Sequence, residues 1–282
     1  MGVQKTHSNI SIVTSLDDSR VDQYRSVRDA DLRGRQHLCM VESEMVVRRL
    51  LNSNWQIHSL FLSPQKYERL APFIEDASLQ VFVADVSLMS DISGFHIHRG
   101  TLALVHRPTN ESLHIQKLIQ SLQGKKRISL LFAEGITNVD NMGSLFRNAA
   151  AFGVDALVLD ATCCDPLYRK AIRVSMGHAL SIPWAVTIDW VEELKELKST
   201  LGIQLIGCET CVNSKPIWEV VPSSKMGLVM GEEKNGLSPS TLELCDEVVE
   251  IPMTKTVPSV NVAVASAVGL YEFLCRKGID DG

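Results

Sequence analysis

The feature that most restricts the fold is a series of short, mainly apolar and unalternating runs in the second half of the chain. They are Ile128–Ala133, Ala156–Asp160, Trp184–Ile188, Ile203–Cys208, Gly227–Gly231 and Glu247–Ile251. None alternates apolar with polar, so each reads as a strand covered on both faces, as in a mostly parallel sheet flanked by helices. The stretches between them carry a helical period, and the pattern predicts an α/β fold. Ligands of such sheets bind beyond the carboxyl ends of the strands. Three polar loops fall there, after Phe132, after Met230 and after Ile251, and the functional reading rests on them.

The first half is organised differently. Residues 1–20 are polar and without period, and are expected to form a disordered tail. Val21–Asn52 reads as helical. Strands follow at Ile57–Ser63, Leu79–Ala84 and Gly100–His106, with a proline-opened helix over Pro64–Ile74 and a short one near Val86–Ile92. Residues 21–107 therefore form a small α/β domain. Residues 108–125 read as a linker, with Asn110 capping a short helix that carries Leu113, Leu118, Ile119 and Leu122. Residues 126–282 form the second domain.

Bulk properties limit the function classes. Of 282 residues, 45% are hydrophobic and 22% charged, a balance that buries a core. The charge-free segment from Pro258 to Tyr271 spans 14 residues, short of the roughly 18 that a membrane span needs. Net charge is −5, with Lys+Arg and Asp+Glu balanced at 12 each in residues 1–107, so the deficit lies wholly in the rest. A general polycationic coat for nucleic acid is excluded, and RNA binding would fall to local patches: the Arg-rich segment Arg20–Arg49, Lys125–Arg127, and Arg169, Lys170 and Arg173. Seven cysteines, an odd number that includes the adjacent Cys163 and Cys164, point to a reducing, intracellular compartment, the cytoplasm first with an organelle left open. Cys208 and Cys211 form one C-x-x-C without the second ligand pair that zinc requires, and no metal is expected.

The first loop runs from Glu134 to Asn148 and opens a helix. It carries Asn141 and Gly143, and Arg147 about one turn in, where a guanidinium can grip a phosphate bidentately beside the positive helix end. The second, Gly231 to Pro239, places Gly231 and Gly236 around the adjacent carboxylates Glu232 and Glu233, and Ser238–Pro239 reads as a helix start. The third follows Ile251 and Met253 between Pro252 and Pro258. Ser259 is the expected cap of an apolar helix, and Asn261 is a polar group that burial would penalise unless it has a partner.

Together these loops resemble the three motifs of the SpoU (TrmH-like) RNA 2′-O-ribose methyltransferases of the SPOUT class. Asn141 to Arg147 resembles the first motif, Gly231-Glu-Glu233 with Gly236 the second, and Ile251-Pro-Met253 with Ser259-Val-Asn261 the third. Val174–Gly177 resembles a further family segment, and the likeness spans about residues 126–276. The first domain resembles, more loosely, the family's ribosomal-protein-like substrate-binding domain through Val41-Glu42, Ile92–Gly94 and His98–Ala103. The resemblance implies a C-terminal trefoil knot, S-adenosylmethionine as cofactor, RNA (tRNA or rRNA) as partner, a homodimer, and 2′-O-ribose methylation. It further implies a catalytic group of Asn141, Arg147, Glu233, Ser259 and Asn261, and a cofactor pocket of Gly231, Ile251, Met253, Ser259 and Val260. The sequence departs from the family pattern at Val260, Ala263, Glu232 and Lys234. The rival readings are a non-catalytic RNA-binding or assembly protein that retains the fold, and a dinucleotide enzyme, against which the missing G-x-G-x-x-G fingerprint counts.

Overall fold

The computed structural model describes residues 9–25, 37–97, 99–254, 256, 257 and 259–276. His98 and Pro258 lie outside the described residues, as do residues 1–8 of the expected tail. The chain divides into two compact units, residues 1–107 with 167–180, and residues 108–166 with 181–282.

The first unit is built on a five-stranded mixed sheet. Its strands are β1 (Ile10–Ile12), β2 (Leu38–Glu42), β3 (Ile57–Leu62), β4 (Gln80–Val83) and β5 (Thr101–His106), in the order β1-β4-β3-β5-β2. β1, β4 and β3 run parallel, while β5 is antiparallel to both β3 and β2. Helices α1 (Glu44–Leu51), α2 (Pro64–Leu70) and α3 (Val86–Ser93) complete it. α2 begins as its sequence dictates, with Pro64 in the first turn and the Ser63 hydroxyl accepting from the Lys66 amide.

Two expectations fail in this unit. Residues 9–20 are not a disordered tail: β1 pairs in register with Val81–Val83, and a 3₁₀ turn over Ser19–Tyr24 is capped by Asp18. Tyr24 anchors that turn, buried against Phe61 and Phe82 with its hydroxyl 2.8 Å from Ser59 Oγ. One buried aromatic ring and an edge strand hold a segment whose composition is otherwise that of a tail. Leu38–Glu42 is strand rather than helix. Its four apolar residues are all buried, and a continuous apolar run of that length suits a covered strand as well as a buried helix.

The short helix Arg169–Val174 and the turn after it pack within this unit although their sequence lies inside the span of the other. The Arg169 guanidinium stacks on the Phe95 ring at 3.6 Å, and Arg173 faces Glu42 at 3.7 Å. Arg49 donates to the Met176 carbonyl and the Trp55 indole N–H to the Leu180 carbonyl.

The second unit holds a seven-stranded sheet, parallel throughout. Its strands are β6 (Ile128–Ala133), β7 (Ala156–Leu159), β8 (Trp184–Val186), β9 (Gln204–Cys208), β10 (Lys215–Pro216), β11 (Lys225–Met230) and β12 (Glu247–Glu250), in the order β10-β12-β9-β11-β6-β7-β8. The helices are α4 (Ile115–Leu122), α5 (Val139–Phe152), α6 (Trp190–Leu201), α7 (Pro239–Leu244) and α8 (Val262–Leu270). Every residue of β6 and β7 is buried, as an unalternating apolar strand requires when both faces are covered. On one face Leu118, Leu122, Leu194 and Leu197 pack on Phe132, Val158 and Leu205. On the other, α5 and α8 pack together. The chain moves outward from β6 through β7 to β8, then returns to the far side of β11 for β9 and β12. A crevice lies at the carboxyl ends of β9, β11 and β12.

Phe132 lies fully buried at the centre of this sheet, its ring edge-on to Trp190 at 6.3 Å. Phe132→Ala is expected to cost about 3–5 kcal/mol, read as a lower urea midpoint by tryptophan fluorescence.

Candidate functional site

Each of the three loops is fixed by its own local chemistry. After β6, Asn138 caps α5, its Oδ1 accepting from the Asp140 and Asn141 amides at 2.8 and 3.2 Å. Asn141 is thereby set in the first turn, 8% exposed. Arg147, expected about one turn into this helix, lies about two turns in, because the helix begins at Val139. The partial charge of the helix end fades over the first turn and does not reach it. Its side chain is exposed, and among the described residues no hydrogen bond or ion pair holds the guanidinium.

After β11 the chain doubles back on itself. The Glu232 amide donates to the Gly236 carbonyl at 3.1 Å, and the Gly236 amide to the Glu232 carbonyl at 2.9 Å. Asn235 Nδ2 donates to Glu232 Oε2 at 2.6 Å, so the unusual Glu232 serves to close the turn. Two glycines make this path possible. A Cβ on Gly231 would lie 2.3 Å from the Gly236 carbonyl carbon, and Gly236 itself has φ +69°. Ser238 caps α7 by accepting from the Thr241 amide, as its sequence indicated.

After β12, the cap of α8 is Asn261 and not Ser259. Asn261 Oδ1 accepts from the Ala263 amide at 2.9 Å, and the helix starts at Val262. Asparagine is as strong a cap as serine, and its longer side chain leaves an amide nitrogen free to act elsewhere. That nitrogen donates to Asn141 Oδ1 at 2.9 Å, and Asn141 Nδ2 donates in turn to Glu233 Oε1 at 2.5 Å. One polar chain thus joins the three loops. Its direction is fixed, because the Ala263 N–H can only donate, which sets the orientation of both amides and makes Glu233 the final acceptor.

Beside this chain lies a cleft of about 380 Å³, within the range of small-molecule sites. All five residues expected to hold a cofactor line it: Gly231, Ile251, Met253, Ser259 and Val260. Glu233 and Asn261 line it as well, while Asn141 reaches it through Glu233. Sequence reasoning missed a fourth contributor, Cys208, Glu209 and Thr210 at the end of β9. The available signal was positional, since β9 is another strand of the same parallel sheet. Among the described residues the lining carries Glu209, Glu232, Glu233 and Glu250 against Lys234, a set of carboxylates suited to a cationic ligand. Burial, then the neighbouring Glu209 charge, pushes the Cys208 thiol up to about 12, which disfavours the thiolate there. All seven cysteines are free thiols, and no group of His, Cys, Asp and Glu among the described residues is placed to hold a metal ion.

Comparison with known proteins places this arrangement in a class. The fold is that of an rRNA methyltransferase from Sinorhizobium meliloti, at TM-score 0.79 and 20% identity over 94% of this chain and 97% of that one. The same enzyme bound to AdoMet aligns at TM-score 0.77 over 93% and 97%. These likenesses show the α/β fold. The signature of the SpoU rRNA methylase family matches residues 129–271. Sequence relatives include the uncharacterized tRNA/rRNA methyltransferase Rv0881 of Mycobacterium tuberculosis, 34% identical over 94% of this chain and 91% of the relative. The 23S rRNA (guanosine-2′-O-)-methyltransferase RlmB of Acinetobacter baylyi is 29% identical over 76% of this chain and 85% of its own length. The chain belongs to the SpoU rRNA methylase family and is an RNA methyltransferase.

A thiol held so far above neutrality stays protonated near pH 8. Iodoacetamide is expected to modify the exposed Cys275 well before Cys208, as read by peptide mass spectrometry.

Proposed function

We propose that the protein methylates a ribose 2′-hydroxyl of a structured RNA with S-adenosylmethionine, ribosomal RNA being the first substrate to test and transfer RNA the second. The observation that carries this reading is the Asn261–Asn141–Glu233 chain beside the cleft, which gathers polar groups from three loops at the mouth of one parallel sheet. The RlmB relative, named for 2′-O methylation of 23S rRNA, supports the position of the methyl group.

The residues of the cleft fit the methyl donor. Its floor at Gly231 is backbone that no side chain could share, as close contact with an adenosine requires, and its four carboxylates complement a sulfonium cation. Gly231, Ile251, Met253, Ser259 and Val260 would hold the group. When bound, S-adenosylmethionine supplies an activated methyl group, so the protein need only align the hydroxyl and take its proton. Arg147, exposed and without a partner among the described residues, grips the RNA phosphate next to the target ribose. A free guanidinium, with a pKa above about 12, is a poor base. Glu233 is the better acceptor for the hydroxyl proton, since its carboxylate lines the cleft, is oriented at Oε1 by the Asn141 amide and keeps Oε2 for the hydroxyl.

The family reading carries with it a C-terminal trefoil knot and a homodimer. In support of the dimer, α8 carries no charged residue and exposes Val264 and Val268, with Tyr271 exposed just beyond it. Wild type is expected to sediment as a dimer and Val268→Glu as a monomer.

Methyl transfer to rRNA and tRNA pools tests the activity. Arg147→Ala is expected to lower turnover by about a hundredfold or more, with donor affinity by calorimetry within about threefold of wild type. Near-normal turnover in both Arg147→Ala and Arg147→Lys would remove this residue from the mechanism. No heat with S-adenosylmethionine or its demethylated product would instead favour a scaffold protein.

A further inference from the structure

Glu209 belongs to none of the three loops, yet it touches the most constrained part of the site. It stands just beyond β9, its own amide donating to the Val249 carbonyl at 2.9 Å, which fixes its backbone against β12. Its side chain crosses to the loop after β11, where Oε2 accepts from the Leu237 amide at 2.9 Å. Oε1 accepts from the Thr210 amide at 3.1 Å, so the carboxylate is held at both oxygens. The fit around it is close. A Cβ on Gly236 would lie 2.0 Å from Glu209 Oε2, and a Cβ on Gly231 would lie 2.5 Å from the same Leu237 nitrogen that Glu209 receives. The carboxylate, the Gly236–Leu237 backbone and Gly231 are therefore stacked without spare room.

We propose that Glu209 is a positioning residue for the methyl donor. It clamps the Gly236–Leu237 end of the Gly231–Gly236 turn, and so holds Gly231 and Glu233 in the form that lines the cleft. The turn's own two backbone hydrogen bonds close it upon itself but tie it to nothing outside. Glu209 supplies a tie from a neighbouring strand. This proposal rests on the reading of the cleft as the donor site.

The test compares wild type with Glu209→Gln, Glu209→Ala and Glu209→Asp, each checked for folding by circular dichroism. Glutamine keeps a carbonyl oxygen at the right reach for the Leu237 amide but not the charge, so Glu209→Gln is expected to keep the slow exchange of that amide and, in calorimetry, to bind S-adenosylmethionine more tightly than the alanine and aspartate variants. Alanine removes the acceptor, and aspartate is one methylene too short to span the gap. Both are expected to lose at least about tenfold in donor affinity, with faster exchange of the Leu237 amide by NMR. Glu209→Asp serves if Glu209→Ala fails to fold. A role confined to stability would lower the melting temperature and leave the donor affinity of the folded protein unchanged, which would overturn the proposal. So would an unaltered Leu237 amide in Glu209→Asp. If wild type itself binds no donor, the reading of the cleft has failed; if it binds and the variants bind equally, the Glu209 proposal alone has failed.

Discussion

The site depends on the packing of α5 against α8. Asn148 Nδ2 donates to the Ala263 carbonyl at 2.6 Å and to Ser266 Oγ at 2.9 Å, locking the two helices two turns below Asn141 and one turn into α8. Ala263 is thus held at both ends, its amide by Asn261 and its carbonyl by Asn148. With that contact fixed, the first turn of α5 faces the cap of α8, and Asn141 has only one way to satisfy its oxygen. A half-satisfied amide at this depth would cost about 1–3 kcal/mol, so the chain to Glu233 is as much a packing requirement as a functional one.

The acidic cleft follows from the same economy of elements. Each carboxylate that lines it sits at or just past a strand end, and all four already serve the backbone or a neighbour: Glu209 at Leu237, Glu232 at Asn235, Glu233 at Asn141 and Glu250 at Ser214. Their charge is held in place by contacts made within the protein, before any ligand arrives. Preorganised charge of this kind favours a cation without a reorganisation cost at the moment of binding. Glu232, a departure from the family pattern, keeps the turn closed by taking the Asn235 amide, so the departure alters the charge of the loop more than its path.

Much of this was legible in the sequence where burial on both faces writes itself as a mainly apolar, unalternating run. Ile128–Ala133 is strand over its whole predicted span, the other five expected strands differ at their ends by one or two residues, and the two-residue β10 was not expected. The loops were legible because glycine, proline and adjacent polar residues mark strand ends. What escaped was decided by partners distant in sequence. Leu38–Glu42 became strand because β5 waited beside it, and residues 9–20 were ordered by β4 and by the burial of Tyr24. The α8 cap moved from Ser259 to Asn261 because only the longer side chain could serve Ala263 and Asn141 at once. Glu209 gave no local signal, since a lone glutamate after a strand reads as a solvated charge.

The excursion of residues 167–180 bears on how such a protein can change over evolutionary time. These residues lie between β7 and β8 in sequence but complete the first compact unit, where Arg169 covers Phe95 and Trp55 takes the Leu180 carbonyl. The first unit is consequently encoded by two separated stretches of the gene. A recombination event that replaced residues 1–107 alone would remove the partners that Arg169 and Leu180 find in Phe95 and Trp55. The two stretches are therefore constrained to change together, though residues 108–166 separate them in sequence.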